Sequence, residues 1–265
     1  MDLGLGDATA VVVGGGRGMA LAAAKCLADD GARIALVGRT AAVLDAAAEE
    51  LTGRGSPDAV GLVADIGDGA QVQRVFEQIG ERWSGELNIL INAVGPSVQG
   101  TFDDLTDEHW RMAIDEGAMG MVRCVRAALP LLRAAEWARI VNFAAQSTQR
   151  QSARLSAYTA AKSMVTSVSK NLSLFLAPDE ILVNVVSPGS IASEALTGWA
   201  ESVGVDGSDP YALMTAIDEH FGHPAHLPRA GLPDEIGPVV AFLASKRNSY
   251  MTGANVNVDG GSDFT

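Results

Sequence analysis

The chain is short of positive charge: its 265 residues carry 19 Lys and Arg against 32 Asp and Glu, a formal net charge of −13 with a pI near 4.6. Phosphate recognition over a surface needs a local surplus of Lys and Arg, so this balance argues against nucleic acid and anionic membranes as partners. An acidic carrier protein is disfavoured on the same ground, although Arg123, Arg126 and Arg133 form a local patch that runs against the average. Cysteine is also scarce. Cys26 and Cys124 stand far apart inside helical patterns, which reads as two buried thiols in a reducing compartment rather than a disulfide or a nucleophile. No apolar run approaches the length of a membrane span, and no charged leader with an apolar core and cleavage site opens the sequence. A soluble, cytoplasmic protein is expected.

What is abundant is apolar residues, 48% of the chain, arranged as short runs alternating with longer amphipathic ones. That alternation is the pattern of βαβ units and predicts an α/β fold with a parallel sheet. Strands are predicted at 8–13, 33–37, 59–63, 87–91, 138–143, 181–186 and 255–258, rich in Val and Ile and buried on both faces. Helices are predicted at 19–28, 41–51, 70–83, 104–132 and 155–176. Nothing resembles a linker or a repeat, so a single domain over 1–265 is expected. Residues 190–232, rich in Gly, Pro, His and aromatics, read as an irregular excursion above the sheet and a substrate lid.

The run Val11-Val-Val-Gly-Gly-Gly-Arg-Gly-Met-Ala20 passes from the first strand straight into a helix. Glycines there let the backbone turn tightly and approach a pyrophosphate, whose charge sits at the helix N-terminus. The second strand ends in Leu36-Val-Gly-Arg-Thr40. A dinucleotide fold selecting NAD usually carries an acidic residue there for the ribose 2′-hydroxyl, whereas Arg accommodates a 2′-phosphate. Gly38 stands at the acidic position with Arg39 and Thr40 after it, and Arg17 lies in the glycine turn. NADP(H) is therefore expected over NAD(H).

Tyr158 and Lys162 lie four residues apart at the start of a predicted helix and so share a face. A phenol with a pKa near ~10 is a poor acid at neutral pH, but a cation about 4 Å away at an effective dielectric of ~20 contributes roughly 4 kcal/mol, or ~3 pKa units. The spacing predicts that Lys162 lowers the Tyr158 pKa and makes it a proton donor.

Taken together with Asp65-Ile66, Asn92-Ala-Val-Gly95, Ser187-Pro-Gly189, Arg229-Ala-Gly-Leu-Pro-Asp-Glu-Ile236 and the closing Gly253-Ala-Asn-Val-Asn-Val-Asp-Gly-Gly261, these motifs resemble the short-chain dehydrogenase/reductase superfamily over nearly the whole chain. The resemblance implies a Rossmann-type, doubly wound, seven-stranded parallel sheet with helices on both faces, and NAD(P)H-dependent chemistry at a carbonyl or alcohol carbon. It implies that Gly14, Gly16, Arg17, Gly18 and Met19 meet the pyrophosphate and adjacent ribose, and that Asp65 and Ile66 flank the adenine. Asn92, Ala93 and Val94 would line the cofactor's middle, and Pro188, Gly189, Ile191 and Ser193 would hold the nicotinamide carboxamide. Lys162 would also bind the nicotinamide ribose. A homo-oligomer, dimer or tetramer, is implied, with the 104–132 helix and the Tyr158 helix packing across an interface.

Two departures from the family pattern concern chemistry. Thirteen residues before Tyr158 stands Ala145, where the family usually has a Ser that hydrogen-bonds the substrate oxygen; seven after Trp110 stands Gly117, where it usually has an Asn associated with a relay water. Losing one preorganised donor typically costs ~10² to 10³ in rate. Ser147 is the first choice to replace the hydroxyl, with Gln146 and Thr148 beside it, while Gly117 keeps the main-chain carbonyl that holds the water in the family. Gly117 and Gly120 together suggest a bend or close contact in their helix.

Three of the four histidines fall in His220-Phe-Gly-His223-Pro-Ala-His226, but Pro224 breaks a helix and no Cys or carboxylate cluster completes a ligand set, so no metal is expected. His109 reads as a helix-start residue. Trp199, Tyr211, Met214 and Phe221 in the excursion, near Glu194, suit an apolar carbonyl substrate or simple packing. The expected function is NADPH-dependent reduction of a ketone or aldehyde, with reduction of a conjugated C=C bond and a nucleotide-binding sensor or scaffold as the other readings.

Overall fold

The computed structural model describes residues 2–96, 98–222 and 224–262. Seven strands form one parallel sheet in the order β3-β2-β1-β4-β5-β6-β7: β1 (Thr9–Val13), β2 (Arg33–Gly38), β3 (Ala59–Val63), β4 (Ile89–Asn92), β5 (Ala138–Phe143), β6 (Ile181–Pro188) and β7 (Asn255–Val258). The chain runs outward from β1 to β3, then returns to pair β4 on the other side of β1. That reversal opens a crevice beyond the carboxyl ends of β1 and β4, where ligands bind in doubly wound sheets. Each predicted strand is present within two residues of its expected bounds; β1, β4, β5 and β6 are buried along nearly their whole length, whereas β3 and β7 at the sheet edges are only partly buried, so the expected burial on both faces does not hold there.

Helices cover both faces. On one side, α1 (Gly18–Asp29), α2 (Ala41–Arg54) and α9 (Pro233–Ala244) bury Leu27, Leu44, Leu51 and Val240 against Val12, Leu36 and Ile91. On the other, α3 (Gly69–Arg82), α5 (Gly120–Ala134) and α6 (Ser156–Phe175) bury Phe76, Ile79, Val125 and Val165 against Val11, Leu90 and Ile140. Alternate residues of a strand point to opposite faces, so Val11 and Val12 feed different cores.

The predicted 104–132 helix is interrupted. It comprises α4 (Asp107–Ile114), a π-helical turn over Asp115–Met119, and α5. Gly117 sits inside the π turn and Gly120 starts α5, and of the bend or close contact the two glycines suggested it is the close contact that is seen. Their lack of a side chain is used. A Cβ on Gly117 would lie 2.7 Å from Pro96 Cδ and 3.0 Å from Ala161 Cβ, and one on Gly120 would lie 2.4 Å from Ile66 Cδ1. His109 takes its expected place at the start of α4: its Nδ1 accepts from Thr106 N at 3.2 Å and Thr106 Oγ1 accepts from His109 N at 3.4 Å.

The excursion is more ordered than its composition suggested. It forms α7 (Glu194–Ser202) and α8 (Pro210–Phe221), the latter begun by Asp209, which accepts from Tyr211 N at 2.9 Å, with Pro at the first helical position. Trp199, Met214 and Phe221 pack in a small core between these helices with Leu213 and Ile217, and Trp199 lies edge-on to His220. Those aromatics therefore serve the excursion's own packing, and Tyr211 is exposed. His223 lies outside the described residues, and among the described residues no cluster of three metal-ligating side chains occurs. No helix among the described residues is long and apolar enough to cross a membrane.

Candidate active site and dinucleotide cleft

A cleft of ≈ 690 Å³ lies over the carboxyl ends of β1, β2 and β4. It gathers Gly14, Gly16, Arg17, Arg39, Thr40, Asp65, Ile66, Ala93 and Val94 from the positions expected to hold a dinucleotide. It also takes Val43, Glu116 and Ala195, which sequence reasoning did not single out. Val43 follows from its place one turn after Arg39, whereas Glu116 and Ala195 enter only because the π turn and α7 fold over the cleft.

The glycine turn is shaped by its neighbours. Gly14 has φ +80°, a conformation that side chains rarely adopt, and a Cβ there would meet Val94 Cγ2 at 3.1 Å and the Ala93 carbonyl oxygen at 3.3 Å. Gly18 opens α1, whose first amides have no partner within the helix, directly after Gly16 and Arg17 of the cleft wall. Asp65 Oδ1 accepts from Gly67 N at 2.9 Å, which fixes its carboxylate at the cleft wall. Arg39 lines the cleft and is exposed, with no hydrogen bond or ion pair among the described residues. Arg17 is instead paired with Glu194 at the start of α7.

Deeper in, Asn92 ends β4. Its Nδ2 donates to Asn142 Oδ1 at 2.8 Å, and Asn142 Nδ2 donates to Ser169 Oγ at 2.9 Å, a buried string tying β4, β5 and α6 together. Asn92 Oδ1 is buried with no partner among the described residues. The turn glycines and Arg39, without a partner among the described residues, fit the phosphates of a dinucleotide, and the orphaned Asn92 acceptor fits a hydroxyl or amide donor rather than a phosphate.

Tyr158 and Lys162 occupy the first two turns of α6. Lys162 is buried, and its Nζ donates to the Phe143 carbonyl at 2.8 Å and the Val94 carbonyl at 3.1 Å. It thus pins α6 to the ends of β5 and β4, and Gly95 gives it room, since a Cβ there would lie 3.1 Å from Nζ. Burial pulls the ammonium down to about 8 and pushes the Tyr158 phenol up to about 12. The expected lowering of the phenol is therefore reversed. Desolvation acts on both groups at once, and the ammonium directs its hydrogen bonds to main-chain carbonyls.

The turn after β5 is a short 3-10 helix, Gln146–Thr148, preceded by Ala145 in extended conformation. Ser147 is buried with its Oγ 3.4 Å from Thr159 Oγ1, the residue after Tyr158, so the turn packs on the first turn of α6. Thr148 Oγ1 donates to the Ala145 carbonyl at 2.9 Å. On the far side, Pro188 ends β6 and Gly189 packs on Asp259, where a Cβ would meet the Asp259 Cα at 2.6 Å. Ser193 precedes α7, and Ile191 borders a separate cavity of ≈ 120 Å³ with Leu227 and Val258. Gly18, Met19, Asn92, Ser147, Tyr158, Lys162, Pro188, Gly189, Ile191 and Ser193 are not in the walls of the large cleft, although Lys162 bonds to the carbonyl of its wall residue Val94.

Comparison with known proteins agrees with this architecture. Residues 13–263 match a family model described as enoyl-(acyl carrier protein) reductase. The chain is 32% identical over 253 residues to an uncharacterized oxidoreductase of Methylorubrum extorquens, covering 95% of this chain and 96% of that protein. It is 29% identical over 252 residues to a meso-2,3-butanediol dehydrogenase of Serratia marcescens, covering 95% and 93% of the two. The crystal structure of L-sorbose reductase from Gluconobacter frateurii, complexed with NADPH and L-sorbose, superposes with a TM-score of 0.91 at 28% identity, covering 100% of both chains. The chain belongs to the short-chain dehydrogenase/reductase superfamily and is an NAD(P)-dependent oxidoreductase.

Proposed function

We propose that the protein is an NADPH-dependent reductase that converts a ketone or aldehyde to an alcohol. The observation that carries this reading is the placement of Tyr158 one turn before a lysine that is hydrogen-bonded to both the β4 and β5 ends, beside a cleft whose Arg39 has no partner among the described residues. When bound, the nicotinamide supplies hydride to the carbonyl carbon. Tyr158 then gives its proton to the developing alkoxide, a stronger base than the phenolate even with the phenol pushed up to about 12; burial keeps the phenol protonated but makes it a weaker acid than the sequence reading expected. Ser147, accepting from Thr159, keeps its own O–H to hold the substrate oxygen, in place of the hydroxyl that Ala145 lacks. Arg39 with Thr40 takes the 2′-phosphate, favouring NADP(H) over NAD(H).

The relatives' printed names fit small carbonyl and alcohol substrates: a butanediol in one, a ketose with NADPH in another. The matched family model's description and the methyl group at Ala145 favour a second reading, reduction of a conjugated C=C bond, in which less charge gathers on a carbonyl oxygen. The chain acts as a single domain and assembles as a homo-oligomer in the cytoplasm; Leu174 and Phe175, exposed at the end of α6, offer apolar surface for assembly. The test is a screen of ketones, aldehydes and enones for NADPH oxidation, with Tyr158→Phe alongside. Turnover of ketones lost in Tyr158→Phe supports the reading, and turnover of enones alone replaces it with the second. Tight NADPH binding without turnover of any class would favour a sensor.

A further inference from the structure

Arg150 ties the turn after β5 to the end of the excursion. Two residues past the 3-10 helix and half-buried, it donates through Nη2 to the Gly222 carbonyl at 2.8 Å and through Nη1 to those of Pro224 at 2.9 Å and Ser262 at 3.1 Å. Gly222 is the C-cap of α8, left-handed with φ +63°, so the guanidinium stands at the negative end of that helix, where a cation is favoured. The segments it reaches are joined to each other as well. Leu227 N donates to the Gly260 carbonyl at 2.9 Å, and a Cβ on Gly261 would lie 2.9 Å from His226 Cβ. Beside Arg150, Gln149 Oε1 accepts from Asn257 Nδ2 of β7 at 2.8 Å. A planar guanidinium with five N–H donors serves three carbonyls at once, whereas an ammonium is a point charge without that fork. Gly222 is exposed, so water would take its carbonyl in place of Arg150, and the fork sets position more than it adds to stability.

On its other side the turn meets α6. Ser147 stands three residues before Arg150, with its Oγ 3.4 Å from Thr159 Oγ1, the residue after Tyr158. Contacts thus run from the end of α8 through Arg150 and its turn to the first turn of α6. The large cleft lies apart from them, since none of its wall residues falls within 146–150 or 210–224. We infer that Arg150 is a positioning residue for the reduction: its fork on three carbonyls holds the excursion in register with the turn that carries Ser147, and so with Tyr158. It touches neither substrate nor cofactor. The inference rests on the carbonyl-reduction reading for its kinetic test and adds to that reading a residue outside the site. Loss of the fork should disturb the substrate side and leave the dinucleotide in place.

The experiment compares Arg150→Met, which keeps an apolar stem, with Arg150→Lys, which keeps the charge without the fork. On the ketone that the wild type reduces best, Arg150→Met should lower kcat/KM by about tenfold or more while the NADPH Kd stays within about twofold. Arg150→Lys should stay within about threefold of Arg150→Met, because one ammonium does not replace the fork. An unchanged kcat/KM in Arg150→Met overturns the inference, and so does full recovery in Arg150→Lys. A rise in the NADPH Kd that matches the fall in kcat/KM also overturns it, since that marks a general loss of structure. Hydrogen exchange on the NADPH complex reads the same coupling without a substrate. Amides of both 146–158 and 213–221 should exchange about tenfold faster in Arg150→Met, with those of α1 unchanged. Faster exchange in α8 alone overturns the inference. Coupled exchange in a protein whose wild type reduces no ketone or aldehyde supports the Arg150 assignment while counting against carbonyl reduction.

Discussion

Arg17 in the glycine turn and Glu194 in the first turn of α7 form an ion pair that ties α7 to the rim of the large cleft. Both side chains are largely exposed, at 56% and 70%, so the pair contributes little to folding. Its consequence is local, because Glu194 holds a cation that the resemblance assigns to the pyrophosphate and places a negative charge beside it.

Glu194→Gln should therefore tighten NADPH several-fold while changing stability by less than about 1 kcal/mol. Fluorescence titration at two salt concentrations measures it, and the gain should shrink as salt screens the charge. Weaker NADPH binding in the variant would show that the latch helps to retain cofactor rather than competing for Arg17.

Arg39 has no partner among the described residues, so its replacement isolates one interaction. Arg39→Asp should weaken NADPH by about tenfold or more and leave NADH within a few-fold, as expected for a lost charge-assisted contact to a 2′-phosphate. Equal losses for both cofactors would sink the 2′-phosphate role.

The pair in α6 predicts a pH dependence. With Lys162 drawn down to about 8 and Tyr158 pushed up to about 12, the charge lost first on raising pH is that of the lysine. Reduction should fall as pH rises through about 8 in the wild type, and that step should be missing in Lys162→Met. Folding stability follows the opposite course for the lysine: between about 8 and its ordinary value of 10.5 the unfolded chain holds a proton the folded chain has released, so stability rises with pH. For Tyr158 the folded chain keeps its proton between 10.0 and about 12, so stability is lost across that window. Denaturant titrations from pH 7 to 11 on wild type, Lys162→Met and Tyr158→Phe separate the two.

Restoring the family's missing side chains should have unequal results. Ala145 is extended and borders the turn, so Ala145→Ser adds one hydroxyl to a small side chain; an increase in kcat up to about 10² is expected if the oxyanion lacks a donor. Gly117→Asn meets Pro96 and Ala161 at 2.7 and 3.0 Å, and should destabilise the protein by roughly 1–3 kcal/mol without raising kcat. A stable, faster Gly117→Asn enzyme would contradict the closed packing at this position.

Much of the molecule was legible in the amino-acid order. The seven strands, the glycine turn and the Tyr158/Lys162 spacing are local patterns, set by which residues must be buried and which backbone angles glycine permits. Gly117 and Gly120 announced a close contact. Composition alone did not show that residues 194–202 and 210–221 are helical, since their caps and shared core depend on each other, nor that Trp199 and Phe221 spend their surface on that core.

Tertiary structure decided the rest. Whether Lys162 lowers a phenol or is itself depressed depends on desolvation and on carbonyls from β4 and β5, which lie 68 and 19 residues away in sequence. The Arg17–Glu194 pair spans 177 residues, and Arg150 meets carbonyls 72, 74 and 112 residues away. Sequence determines which groups are present and which segments repeat with the period of a strand or helix. Only the packed chain decides which charges lose water and which polar atoms they meet, because both depend on neighbours that sequence distance does not reveal.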